Sequence, residues 1–154
     1  MIIDLRGRKA VVTGSTGGIG RAIVEGLARA GAAVVINGRG SARVTNAVAE
    51  MRVMFPNAGI SGVAADAATP EGAASLIAAA EDADILVNNL GTAKPKPFAE
   101  ITDEDWLNLF QFNVMSGVRM TRHHLPRMVK RGWAPAATQN PPPVAGSKSP
   151  TLMP

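Results

Sequence analysis

The residues best suited to chemistry lie in one stretch, Thr13-Gly14-Ser15-Thr16-Gly17-Gly18-Ile19-Gly20. Its four glycines permit a tight turn and a close approach of a ligand to the main chain. Ser15 and Thr16 add hydroxyls that can donate to phosphate or sugar oxygens. Upstream, Lys9-Ala10-Val11-Val12 reads as a short buried strand; downstream, Ile19, Ile23, Leu27 and Ala30 recur on one helical face. A glycine-rich turn that opens a helix presents unpaired N–H groups and the positive end of the helix dipole, a combination that binds phosphate. A plain glycine-rich turn would carry the same residues, but the strand before and the helix after favour a dinucleotide.

These residues must be held by a larger frame, and the pattern over the first 133 residues is alternating strand and helix with short connections. Ala33-Val34-Val35-Ile36-Asn37 is a second strand, and Ser41 is placed to cap a helix reaching about Met54. A third strand covers Ile60 to Ala65, and Thr69-Pro70-Glu71 opens the next helix with Thr69 as cap. Ile85-Leu86-Val87 is an unbroken apolar run, expected of a strand covered on both faces. Thr102-Asp103-Glu104-Asp105 starts a long helix from about Asp103 to Arg131, with Trp106, Leu109, Phe110, Val114, Gly117, Val118 and Leu125 expected on its buried side and a kink at Pro126.

Composition narrows the class. At 154 residues there is room for one domain, and with no cysteine there is neither a disulfide nor a thiolate metal site; no metal site is expected. No segment has the roughly 20 apolar residues of a membrane helix, and the first residues lack a signal-peptide core, so a cytoplasmic protein with no membrane partner is expected. Net charge is +4, and Arg119, Arg122, Arg127, Lys130 and Arg131 gather near the end of the long helix, where cations complement the dipole. With one aromatic beside them and no recognisable module, nucleic acid is not an expected partner. Beyond Gly132-Trp133 the periodicity stops: residues 134–154 hold six of the eleven prolines and one charge, Lys148, and read as a disordered tail. The abruptness of that change suggests a shifted reading frame near codon 133.

Over roughly Leu5 to Trp133 the chain resembles the short-chain dehydrogenase/reductase family. Thr13 to Gly20 matches its fingerprint of Thr-Gly, three variable residues and Gly-x-Gly; Asn88-Asn89-Leu90-Gly91 matches its Asn-Asn-Ala-Gly after the fourth strand; and Asn113-Val114 stands at its helix asparagine. The resemblance implies an α/β fold, a partial Rossmann-type doubly wound parallel sheet of about four strands in order 3-2-1-4. It implies a cofactor site of Gly14, Ser15, Thr16, Gly17, Ile19, Gly20, Arg39, Asp66, Ala67, Asn89 and Gly91. Asp66 would accept from the adenine amino group, or simply cap the next turn; Asn89 and Gly91 would line the adenine–ribose side. Asn37-Gly38-Arg39 ends the second strand without the acid that would accept from the ribose of NAD, and Arg39 can pair with a 2′-phosphate, favouring NADP over NAD. At Gly17, NADP-preferring relatives often carry a second basic residue.

The same resemblance exposes a gap. The family's hydride transfer uses a serine and Tyr-x-x-x-Lys, the lysine lowering a phenol pKa that is otherwise near 10. This chain has no tyrosine. His123 and His124 lie ten or eleven residues past Asn113, on the order of 15 Å along a helix, and read as surface positions; Lys94 and Lys96 read as solvated loop charges. Asn113 is left in a supporting role. The expected product is a cofactor-binding half without its own catalytic apparatus, or else a non-catalytic dinucleotide-binding or dimer-partner module. Self-association is expected through the long helix Asp103–Arg131 or through the open sheet edge at Ile85-Leu86-Val87.

Overall fold

A computed structural model describes residues 3–93 and 95–132; the expectations placed on Lys94, Trp133 and the proline-rich 134–154 lie outside them. The elements run β1 (Lys9–Val12), α1 (Gly18–Arg29), β2 (Ala33–Gly38), α2 (Ser41–Met54), β3 (Ile60–Ala64), α3 (Pro70–Ala79) and β4 (Ile85–Val87). A 3₁₀ turn (Phe98–Glu100) precedes α4 (Asp103–Phe110), a π-helical turn (Gln111–Met115) and α5 (Ser116–Lys130).

The four strands form one parallel sheet in the order β3-β2-β1-β4, as the family resemblance implies. The strand pleat sorts the core into two layers. Ala10, Val12, Val34 and Ile36 face α1 and α2, packing with Val24, Ala28, Ala47 and Met51. Val11 and Val35 face the other way, against Ala73, Leu76 and Ala80 around α3 and Met120 of α5. Helices on both faces make the sheet doubly wound, and the strand order reverses at β1, the turning point at whose carboxyl end such sheets hold ligands.

Helix starts follow local chemistry. The Thr69 hydroxyl accepts from Gly72 N at 3.0 Å with Pro70 in the first turn, and Thr102 and Asp105 form a reciprocal capping box. Ser41 does not cap α2: it is the first helical residue, and Gly40 holds the cap position with no side-chain bond.

The long helix departs from expectation in two ways. It is interrupted by the π turn, and its sheet-facing side is Ser116, Met120, His124 and Met128, not the predicted apolar stripe. Trp106, Phe110, Val114 and Leu125 stand 44–54% exposed on the outer surface. The reason is geometric: α5 packs on α3 and β4, so the residues one turn apart on that side are buried whatever their hydropathy. His124 is therefore a core residue with no exposure, correcting its reading as a surface position. Neither of its ring nitrogens has a hydrogen-bond partner among the described residues. Burial, helped by the nearby His123 ring and the Arg127 and Arg131 guanidiniums, pushes its pKa down to about 4.

The basic residues of α5 also do more than complement a dipole. Arg127 pairs with Glu81, and Arg131 donates to Ala83 O at 2.6 Å with Asp82 and Asp84 nearby, tying α5 to the turn before β4. Among the described residues no helix is long and apolar enough to cross a membrane.

Candidate functional site

The glycine-rich turn leaves the carboxyl end of β1 and is shaped by contacts to the ends of β2 and β4. Gly14 takes φ +62°, and Gly20 is packed so tightly that a Cβ there would lie 2.5 Å from Asn89 Nδ2, 2.6 Å from Gly14 O and 2.8 Å from Ser15 Cα. On the other side the turn is open: a Cβ at Gly17 or Gly18 would meet nothing within 4 Å. Gly17 caps α1 with no side-chain bond, which leaves the first N–H groups of the helix without a side-chain partner. Ile19 is 76% exposed beside them.

Two residues assigned to ligand contact, Ser15 and Asn89, are spent inside the protein. Ser15 is buried; its hydroxyl donates to Val12 O at 2.7 Å and accepts from Asn37 N at 3.0 Å, so its proton is already committed. The Asn89 amide donates to both Thr13 O and Gly14 O at 3.0 Å, bracing the turn rather than facing outward. Thr16, by contrast, lines the cleft.

Two hubs escaped the sequence reading. Buried Thr13 accepts at its hydroxyl from Asn89 N and Leu90 N at 3.0 and 2.9 Å, joining the end of β1 to the end of β4. Buried Asn37 accepts from Gly14 N at 3.2 Å and donates to Val63 O and Ala65 O at 3.2 and 3.0 Å, joining the ends of β1, β2 and β3. Only the adjacency of strands distant in sequence makes these roles visible.

Between these ends lies a cleft of about 240 Å³ lined by Gly14, Thr16, Arg39, Arg43, Ala67 and Gly91 among others. No carboxylate lines it, and neither Arg39 nor Arg43 makes an ion pair or hydrogen bond among the described residues. Arg43, in the first turn of α2, is a second cation on this cleft that the sequence reading did not single out. Arg39 instead sits over the Phe112 ring, 5.7 Å from its centroid. A larger cavity of about 610 Å³ adjoins, lined by Asp66, Pro70, Ile101, Asp105 and Leu109 among others.

Asp66 accepts from Ala68 N at 3.0 Å, the local turn its alternative reading anticipated, while also lining that larger cavity. Its main chain is locked by Gly72, where a Cβ would stand 2.0 Å from Asp66 O. Asn113, in the π turn, grips the loop after β4: Oδ1 accepts from Thr92 N at 2.7 Å and Nδ2 donates to Thr92 O at 2.9 Å. π turns are frequent at functional sites because they redirect side chains within a helix. Lys96 is an exposed loop charge that nonetheless has a partner: it pairs with Asp105 at 2.6 Å, and that bond together with those from Thr102 lowers the Asp105 pKa to about 2. Among the described residues no group of three or more His, Asp or Glu could hold a metal.

The site is thus an anion-friendly cleft beside an open helix start. Comparison with known proteins agrees with that frame. Residues 8–135 match the family described as short chain dehydrogenase. The chain is 44% identical over 131 residues to the uncharacterized oxidoreductase YvaG of Bacillus subtilis, covering 85% of this chain and 50% of that protein. It is 35% identical over 130 residues to D-beta-hydroxybutyrate dehydrogenase of Rhizobium meliloti, covering 82% and 50%. Among solved structures, L-sorbose reductase from Gluconobacter frateurii, complexed with NADPH and L-sorbose, superposes with TM-score 0.81 at 38% identity, covering 86% of this chain and 51% of that one. The 3-oxoacyl (acyl-carrier-protein) reductase of Agrobacterium tumefaciens, with NADP bound, superposes with TM-score 0.78 at 34% identity, covering 86% and 52%. The chain spans about half the length of the relatives it matches.

Proposed function

The chain belongs to the short-chain dehydrogenase family, and from that premise we propose that it binds NADP(H) as the cofactor-holding half of an oxidoreductase fold. The observation that carries this reading is the pair of unpaired cations, Arg39 and Arg43, on a cleft with no carboxylate. An acid at the end of β2 would repel a 2′-phosphate; two guanidiniums there attract it. The relatives solved with NADPH or NADP support the same cofactor class. The residues fit a dinucleotide: the open side of Gly17 and Gly18 leaves room for a pyrophosphate at the start of α1, where free N–H groups can donate. Thr16 can donate its hydroxyl, Gly91 and Ala67 form close-packed walls, and Asp66 keeps one carboxylate oxygen for an amino group.

When bound, the nicotinamide supplies or accepts a hydride. The chain's own contribution is to bind and orient: the end of β1 and the start of α1 would hold the phosphates, Arg39 and Arg43 would hold the 2′ end, and Asn113 holds the Thr92 loop. No tyrosine is present to give or take the substrate proton. His124 cannot replace it, being buried on the sheet-facing side of α5. The 154-residue chain is therefore proposed to bind cofactor without turning over a carbonyl or hydroxyl substrate.

A second reading, a dimer-partner module, is favoured by the uncovered apolar stripe of Trp106, Phe110, Val114 and Leu125. A cytoplasmic site of action is part of the same proposal.

Calorimetric titration with NADPH and NADH, paired with an absorbance assay at the nicotinamide band, tests it. Tighter binding of NADPH without turnover is expected. Hydride transfer by the chain alone would overturn the non-catalytic claim, and equal affinity for the two dinucleotides would overturn the NADP assignment.

A further inference from the structure

The contact between Arg39 and Phe112 lies at a structural junction. The two cavities at the carboxyl end of the sheet have three lining residues in common: Arg39 after β2, Thr92 after β4, and Phe112 in the π turn. The Arg39 guanidinium over the Phe112 ring therefore forms part of the wall that the 240 Å³ cleft shares with the 610 Å³ cavity. Thr92, the third shared residue, is clamped from the adjacent position of the same π turn by Asn113. One widened helical turn thus sends two consecutive side chains to two loops of the site.

Arg39 needs such a support. It is exposed, has no ion pair or hydrogen bond among the described residues, and follows a glycine. A long guanidinium left free would lose its rotamer freedom on meeting a phosphate and so weaken the contact. An aromatic face fixes the side chain in advance without neutralising its charge, which a carboxylate partner would do.

We propose that Phe112 is a positioning residue that holds Arg39 ready for a 2′-phosphate, and so contributes to discrimination between NADPH and NADH. The proposal rests on the NADP(H) reading above. It predicts a ring-specific effect: any flat aromatic serves at position 112, and an aliphatic residue of similar bulk does not.

The test is titration of the full chain with NADPH and NADH for wild type, Phe112→Leu, Phe112→Trp, Arg39→Leu and the Phe112→Leu/Arg39→Leu double variant. Phe112→Leu should weaken NADPH binding about three- to tenfold, the range of a surface cation–π contact that strengthens on desolvation, and leave NADH within about twofold. Phe112→Trp should retain wild-type NADPH affinity. In the Arg39→Leu background, Phe112→Leu should add nothing for NADPH, since the ring acts through the guanidinium. Retained NADH binding shows that each variant is folded.

Equal weakening of both dinucleotides by Phe112→Leu, additivity with Arg39→Leu, or failure of Phe112→Trp to restore affinity would overturn the role of Phe112 while leaving the NADP(H) reading intact. If Arg39→Leu itself leaves NADPH affinity unchanged, this inference fails while Arg43 can still carry the NADP(H) reading; if wild type binds NADPH and NADH equally, that reading fails, and this inference fails with it.

Discussion

Replacement of His124 by leucine, combined with a change of pH from 7 to 5, isolates one buried group. The imidazole has no exposed surface and no partner for either nitrogen among the described residues. Its pKa falls from the ordinary 6.5 to about 4, first because burial disfavours the charged form and then because the His123 ring and the Arg127 and Arg131 guanidiniums lie near. The folded chain therefore takes up the proton less readily than the unfolded chain. Protonation of His124 contributes no pH dependence above pH 6.5, and stability falls as pH drops from 6.5 toward 4. Integrated between pH 7 and pH 5, the loss is about 2 kcal/mol, a sizeable part of the roughly 5–15 kcal/mol that holds a domain folded. In urea, with a slope of about 1–2 kcal/mol per molar, the midpoint should fall by roughly 1–2 M over those two pH units. His124→Leu keeps an apolar group of similar bulk and removes both unpaired nitrogens, so it should match or exceed wild type at pH 7 and lose much less at pH 5. The carboxylates Asp4 and Asp105, both lowered to about 2 by their Arg6 and Lys96 bonds, lose their contribution only as pH falls from about 4 toward 2, so they leave this window clear. Equal losses in wild type and variant between pH 7 and pH 5 would refute the reasoning.

Three further outcomes are expected. Gly20→Ala places a methyl within 2.8 Å of Asn89 Nδ2, Gly14 O and Ser15 Cα, two of them main-chain atoms; dinucleotide affinity should fall at least about tenfold and stability by about 1–3 kcal/mol, measured by titration and denaturant melt. Asn37→Asp is isosteric but turns a buried donor to Val63 O and Ala65 O into a third acceptor; a loss of about 2–4 kcal/mol is expected by urea melt, and a loss below about 1 kcal/mol would contradict the hub assignment. Phe110→Glu together with Val114→Glu should shift the sedimentation profile toward monomer at unchanged helical content, because both side chains lie on the exposed stripe.

Local signals were the legible ones. The strand spans, the Thr69 and Thr102 starts and the turn between β1 and α1 all follow from periodicity and capping within a few residues, where the backbone's own preferences decide, whereas the strand order was implied only by the family resemblance. The buried side of the last helices was misread for the opposite reason. Hydropathy nominated Trp106, Phe110 and Val114, but burial goes to whatever lies against α3 and β4, and that is Met120, His124 and Met128. Nothing within that segment reports the distance of its neighbours.

The sequence by itself determined the alternating strand–helix frame and a turn suited to phosphate, because a glycine-rich turn between strand and helix carries its geometry in residues eight positions apart or fewer. Tertiary structure alone decided how the site residues are used. It turned Ser15 and Asn89 inward as braces, raised Asn37 and Thr13 to hubs across segments 22–77 residues apart, and brought Arg43 to the cleft with Arg39. It also set Phe112 beneath Arg39 through one π turn. The physical reason is that hydrogen bonds and ion pairs depend on which strand ends meet, and the chain learns that only when the sheet has formed.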